Sequence, residues 1–401
     1  MGGNRYGSDE GTFMKKPQVL VLIDWYKPFF KAGGPVRSLV NMVDHLHDKV
    51  DFHIVTGDRD YMDANSPKGM QRDGWVKGDR GEMIWFASPE KRSIRNWREL
   101  LMSEKWDVIY LNGLYSKWST IIPLWILRGS TKRRIVAVRG MLAAGPMQQG
   151  ALKKRLFLLA MKLINAFRGV EFQATNAEEV NDIKKWIGKD TKVYMVPNLP
   201  RKMNAMGPVP IQKNVGELDL ISPARIAEEK GTLFAIERLK NVTGKIRFHL
   251  HGTVYDEAYL AQCHTAISQL PSNIKVELKG QLKEDEVMDR IARAHVLFMP
   301  STGENFGHAM LEALSIGRPL LISDRTPWKK LGEKNAGWDL PLETPERFTE
   351  VLQQLVHMDN TTFQQWCNGA FDLGSSYMRD PSAVEKSLAM LKGSVASSTS
   401  A

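Results

Sequence analysis

Cysteine is nearly absent: Cys263 and Cys367 are the only two among 401 residues, and neither stands in a metal-ligand pattern. A disulfide framework and a cysteine-based zinc site are thereby excluded. No apolar run approaches the roughly 20 residues needed to span a bilayer. The longest, around Ile121–Leu127 and Leu156–Met161, stop far short. Neither a membrane-spanning helix nor a secretory leader is legible, and a reducing cytoplasm is the expected compartment. The nine histidines, including His249 and His251 on alternating positions, show no metal-ligand spacing, so no metal is expected.

What is present describes a folded protein. Hydrophobic residues at 43% and charged residues at 25% are ordinary values, and they leave disorder to the ends, at residues 1–13 and 394–401. A chain of 401 residues exceeds what one core usually serves, which predicts two domains and a cleft between them. The formal charge of +10 implies attraction to an anionic partner, whether nucleic acid, acidic lipid or a phosphorylated small molecule.

Val- and Ile-rich segments at Val19–Ile23, Phe52–Thr56, Val108–Leu111, Ile135–Val138 and Glu171–Ala174 alternate with helical patterns such as Pro35–Leu46 and Ala151–Phe167. This is βαβ rhythm, and near-continuous apolar strands imply a parallel sheet covered on both faces. Pro197, Pro200, Gly207, Pro208 and Pro210 interrupt it and read as a linker. A second series follows at Leu218–Ser222, Ile246–Leu250, Ile274–Leu278, His295–Met299 and Pro319–Ile322. The expected fold is α/β, with two doubly wound units whose ligands bind at the carboxyl ends of the strands.

The most informative stretch runs from Met299 through Glu304-Asn305-Phe306-Gly307-His308 to Glu312 and on to Gly317 and Pro319. A strand ends, a polar loop follows, and a helix starts near Phe306 or Gly307. Glu304 and Glu312 then stand on the order of 10 Å apart, too far to share one proton transfer. Each carboxylate can instead accept hydrogen bonds from a diol, while backbone N–H groups at the helix start face phosphate. A sugar, a diphosphate and a ribose fit that arrangement.

The two glutamates, and the wider string from Glu304 to Trp328, resemble family 4 of the retaining glycosyltransferases, also termed glycosyltransferase group 1. The resemblance covers most of residues 17–392 and is weaker in the N-terminal half. It implies the GT-B architecture: an acceptor-binding domain at residues 17–200, a nucleotide-sugar domain at 215–375, and a helix near 376–393 returning to the first domain. It also implies that Glu312 holds the ribose hydroxyls and Glu304 contacts the transferred sugar, with Asn305, Phe306, Gly307 and His308 at the donor. The family's Arg and Glu-Lys-Gly signature corresponds here to Arg225 and Glu229-Lys230-Gly231, two cations that can stabilise a departing nucleotide diphosphate without metal. The Gly33-Gly34-Pro35 turn resembles the family's loop reaching toward donor or acceptor, and a plain tight turn is the competing reading. Asn198 after Pro197 resembles the Pro-Asn signature that closes the first domain.

The sequence departs from many relatives in one respect. Where they carry histidines near the ends of the N-terminal strands, this chain has Asn112-Gly113 and Arg139-Gly140. No histidine base is available there, and the resemblance implies instead that a leaving diphosphate oxygen accepts the acceptor's proton. Arg139 reads either as an anion binder or as part of a structural ion pair, and Asp24 and Asn112 are further cleft candidates. Asp58-Arg59-Asp60 matches the acid-x-acid metal pattern of another glycosyltransferase architecture and is read as a loop.

The expected substrates are a UDP- or GDP-sugar and a glycan or lipid-linked acceptor, with no cofactor and no nucleic acid. Basic residues mixed with Trp118, Trp125, Leu156, Phe157 and Leu159 also suit contact with anionic membrane at its inner face, against the alternative of a core-facing helix with a solvated basic edge. Two other readings are open: a sugar-nucleotide epimerase of the same architecture, and a nucleic-acid-binding protein favoured by charge alone. A dinucleotide oxidoreductase would need a glycine fingerprint that Gly33-Gly34-Pro35 lacks.

Overall fold

Successive residues of the first strand serve opposite faces: Val19 and Val21 join one buried cluster, Leu20 and Leu22 another. The strand is therefore central and covered on both sides. The computed structural model describes residues 15–148, 150–203 and 207–394. The expected disordered tails lie outside them, except that Ser394 is placed, its N–H donating to Ala389 O at 2.9 Å.

Eight strands form the first sheet: β1 (Gln18–Leu22), β2 (Asp51–Gly57), β3 (Trp75–Lys77), β4 (Met83–Ala87), β5 (Val108–Asn112), β6 (Arg134–Ala137), β7 (Glu171–Ala174) and β8 (Val193–Met195). Their order is β3-β4-β2-β1-β5-β6-β7-β8, and only the β3–β4 pair is antiparallel. The second sheet holds β9 (Glu217–Ser222), β10 (Lys245–Leu250), β11 (Ile274–Leu278), β12 (Val296–Met299), β13 (Leu320–Ser323) and β14 (Gly337–Leu340), ordered β11-β10-β9-β12-β13-β14 and parallel throughout. Each sheet reverses its strand order once, between β1 and β5 and between β9 and β12. Ligand crevices form at such reversals, outside the carboxyl ends of the strands.

Sequence periodicity finds ten of these strands within a residue or two. It misses β3, β4, β8 and β14, all of which lie at or beside a sheet edge. The helix expected at Ala151–Phe167 ends at Leu163, because Asn165 takes a left-handed conformation with φ 52°. Among described residues 196–216 there is no helix or strand, in keeping with the proline-rich linker.

The chain crosses back once more. The helix Ser382–Lys392 contributes Ala383, Met390 and Leu391 to the first domain's core, and Arg133 donates to Leu391 O at 2.8 Å. Arg318 anchors the linker: fully buried, it donates to Val209 O at 2.9 Å and to Ala292 O at 2.6 Å. Ala292 ends a helix, and the negative end of that helix dipole stabilises the cation.

Candidate active site

The loops leaving β9 and β12 touch at the second sheet's reversal. Thr302 N donates to Glu229 O at 3.0 Å, and Gly231, at φ 69°, lies so close to the end of β12 that a β-carbon there would sit 2.1 Å from Pro300 O. Only glycine fits. This contact sets Lys230 against Glu304, with Nζ and Oε1 at 2.5 Å, and Ser301 Oγ donates to the same carboxylate oxygen at 3.2 Å. Arg225, on the same loop, pairs with Glu229 at 2.8 Å and keeps 41% of its side chain exposed toward the cleft.

Glu312 lies on the helix His308–Ser315, which Gly307 opens in a left-handed conformation with φ 77°. It pairs not within its own domain but with Arg37, Nη1 to Oε2 at 3.1 Å, from the helix Gly34–Leu46 of the first domain. Arg37 lies two residues beyond the Gly33-Gly34-Pro35 turn, and nothing in the sequence marks it, because only the tertiary structure brings it to Glu312. One residue on, Ser38 Oγ donates to Gly34 O at 2.9 Å, and the same oxygen lies 2.9 Å from His308 Nε2. A hydroxyl has one proton, so the imidazole carries its own on Nε2 and donates it to Ser38. Burial, with the nearby Arg37 and Arg139 cations, pushes the His308 imidazole down to about 3. It is neutral at physiological pH.

Asn305 and Phe306 also bridge or brace the cleft. Asn305 Oδ1 accepts from Thr175 Oγ1 at 3.0 Å, and a β-carbon at Gly140 would lie 3.2 Å from Asn305 Cβ, so the two domains meet closely here. Glu179 holds that wall, accepting from Gly140 N at 2.6 Å and Thr175 N at 2.7 Å. Phe306 O accepts from Trp328 Nε1 at 2.8 Å, and both rings pack at tilted angles against Tyr377, whose hydroxyl donates to Asn198 O at 3.3 Å. Thr175, Glu179 and Tyr377 carry no motif that would have marked them in the sequence.

Facing these loops, the first sheet's reversal opens into a cavity of about 380 Å³ lined by Asp24, Lys31, Asn112, Tyr115, Lys154 and Arg225. Asp24 Oδ1 accepts from Ser116 Oγ at 2.5 Å and Ser119 Oγ at 2.6 Å. Asn112 Oδ1 accepts from Arg139 Nε at 3.0 Å, while its buried Nδ2 has no hydrogen-bond partner among the described residues. That orphan donor at the cavity wall suits a ligand oxygen. Space in front of Gly33 and Gly34 is open, since a β-carbon on either would meet nothing within 4 Å.

Arg139 corrects the ion-pair reading. It has no carboxylate partner among the described residues: its guanidinium donates to Asn112, to Tyr110 OH at 3.0 Å and to Asn198 Oδ1, all neutral. It ties β5, β6 and the Pro-Asn turn together. Asp58 and Asp60 separate as well. Asp58 accepts from Arg59 and Arg72, whereas Asp60 accepts from Phe30 N and Lys31 N at 3.2 Å and so holds the loop leading to Gly33.

Residues 208–366 match the family model described as glycosyl transferases group 1. The Escherichia coli (strain K12) protein WcaL, named for colanic acid biosynthesis, is 28% identical over 167 residues, covering 39% of this chain and 40% of its own length. The amylovoran biosynthesis glycosyltransferase AmsK of Erwinia amylovora is 28% identical over 148 residues, covering 34% and 36%. The aligned part of the chain thus spans about two fifths of these curated relatives. Over nearly the full length, the fold is similar to sucrose-phosphate synthase of Thermosynechococcus elongatus, with a TM-score of 0.69, 13% identity, and coverage of 94% of this chain and 98% of that one. It is also similar to Anabaena HepE in complex with UDP and glucose, with a TM-score of 0.68, 13% identity, and coverage of 94% and 100%. Residues 208–366, with the Lys230–Glu304 contact and Glu312, are thus similar to the group 1 glycosyl transferases, and the chain has the GT-B fold of two doubly wound domains.

Proposed function

We propose that this chain transfers a hexose-type sugar from a UDP- or GDP-sugar, with retention of configuration, to a glycan or lipid-linked acceptor in the building of a surface polysaccharide. The observation that carries the reading is the convergence of Glu304, Lys230 and Arg225 at the β9/β12 reversal, opposite a cavity at the β1/β5 reversal. Donor diphosphate belongs beside Arg225 and Lys230, ribose at Glu312, and the acceptor in the cavity beside Asp24 and Asn112.

In the transfer, the bond from the sugar's anomeric carbon to the diphosphate oxygen breaks and its electron pair stays on the diphosphate. The acceptor hydroxyl oxygen bonds to that carbon from the same face, and its proton passes to the departing diphosphate oxygen. Lys230 and Arg225 stabilise the charge that develops there, the role a metal plays elsewhere. Glu304, held by Lys230 and Ser301, orients the sugar. No cofactor enters the reaction, which takes place in the cytoplasm.

The relatives' names support a polysaccharide setting, and HepE's complex supports a UDP-linked donor. A panel of nucleotide sugars screened by thermal stabilisation identifies the donor, because a bound ligand raises the unfolding midpoint by mass action. Product analysis follows with that donor and candidate acceptors in the presence of EDTA. A new α- or β-linkage matching the donor's own anomeric configuration is expected, at undiminished rate. An isomerised or hydrolysed sugar with no acceptor product would instead mark an epimerase, and an inverted linkage would end the retaining reading.

A further inference from the structure

The helix Ala151–Leu163 has two apolar faces, and only one is used. Leu158 and Met161 are 3% and 4% exposed and pack into the second core cluster, whereas Leu152, Leu156, Leu159 and Leu163 are 71%, 56%, 53% and 74% exposed. Their spacing of four, three and four residues aligns them on one stripe, and at about 100° per residue that stripe points directly away from Leu158 and Met161. Four leucines aligned in water form a contiguous patch, which soluble surfaces rarely leave uncovered.

Charge frames the stripe. Arg155 and Lys162 lie along one border and Lys153 along the other, all exposed, with Arg168 just beyond the helix. The framing belongs to a larger asymmetry: the 63 residues from Val108 to Val170 contain eleven Lys or Arg and no Asp or Glu, enough to account for the chain's whole net charge of +10. The preceding crossover between β5 and β6 packs on the same sheet face and adds the 41% exposed Trp125, with Lys117 and Arg128 exposed on either side of it.

We propose that this face of the first domain docks on an anionic lipid bilayer, with the leucine stripe inserted to the headgroup–acyl boundary and the bordering cations on lipid phosphates. A leucine stripe set among cations, with no carboxylate over 63 residues, matches an interface that is apolar below and anionic above. A nucleic acid would use the cations but leave the leucines in water, and a second copy of this +10 chain would bring like charge against like. The orientation also suits the cleft. Lys154, on the inner side of the same helix, and Pro146 before it line the cavity, so a headgroup-borne acceptor at the membrane surface lies beside the cavity mouth. The docking itself rests on the surface alone and stands whether or not sugar transfer is the reaction.

The test is co-sedimentation of the full chain with vesicles of pure phosphatidylcholine and of phosphatidylcholine containing one third phosphatidylglycerol. At least about tenfold stronger partitioning to the anionic vesicles is expected. The pair Leu156→Gln and Leu159→Gln should abolish most of the binding without lowering the unfolding midpoint, since both side chains are solvent-exposed. Lys153→Glu with Lys162→Glu should erase the preference for anionic lipid. The proposal fails if the wild-type chain stays in the supernatant, or if the leucine variant binds as well as wild type. It fails equally if a DNA duplex competes fully for the chain, or if light scattering shows a dimer that the leucine variant dissolves.

Discussion

Arg37 and Glu312 lie 275 positions apart and on different domains, yet guanidinium and carboxylate meet at 3.1 Å across the cleft. Glu312 is 8% exposed in its side chain and Arg37 21%, so the pair is shielded from solvent and latches the domains together. In the proposed reading a ribose diol shares this carboxylate with Arg37, which couples donor binding to the helix Gly34–Leu46.

That coupling is measurable in a double-mutant cycle. Glu312→Gln and Arg37→Gln should each destabilise the chain by on the order of 1–3 kcal/mol, because each leaves the other group shielded and unpaired. The double variant should lose less than the sum, with a coupling of about 0.5–3 kcal/mol in chemical denaturation. Additive losses would show that the pair carries no latch. In calorimetric titration, Glu312→Ala should weaken binding of the nucleotide sugar by about tenfold or more.

Glu304 and Lys230 bear on rate more than on binding. Glu304→Ala should lower kcat with little change in KM, and Lys230→Ala and Arg225→Ala should each cost on the order of a few kcal/mol of transition-state stabilisation. Because Lys230 and Glu304 touch, their double variant should be far from additive. Steady-state rates unchanged in all three single variants would remove these residues from the chemistry.

Gly231 is a third handle. With φ at 69° and Pro300 O only 2.1 Å from an added β-carbon, Gly231→Ala must push the β9 loop off the end of β12. A loss of about 3 kcal/mol or more in stability is expected, together with loss of donor binding as Lys230 moves. Gly34→Ala, facing open space at an ordinary backbone angle, should leave the unfolding midpoint within a degree or two and serves as the control.

His308 predicts a pH dependence. Its folded value is pushed down to about 3, below the ordinary histidine range, so the folded state binds fewer protons than the unfolded state between about pH 3 and 6.5. Stability from this group is complete above pH 6.5 and falls as pH drops through that window, by up to about 1.4 kcal/mol per pH unit. Unfolding midpoints measured from pH 7 to 4.5 should show the decline, and His308→Gln should flatten it. An equal slope in the variant would assign the effect elsewhere.

The sequence by itself determined the layered βαβ architecture, the proline-rich crossing between two domains, and the separation of Glu304 from Glu312. These follow from periodicities and helical rise, which operate over ten or twenty residues and need no knowledge of the rest of the chain. The group 1 character of the C-terminal half was legible for the same reason, since its loop and helix are continuous in sequence. Only the tertiary structure decided that Arg37 meets Glu312, that Arg139 donates to Asn112, Tyr110 and Asn198, and that Ser38 accepts the proton of His308. Those choices depend on chain closures spanning 27 to 275 positions, where many partners satisfy the same local pattern and packing admits one. The helix Ala151–Leu163 makes the same point: its leucines repeat on two sides, and nothing local distinguishes the side that enters the core from the side that faces outward. The sheet it rests on selects Leu158 and Met161, and thereby leaves four leucines exposed.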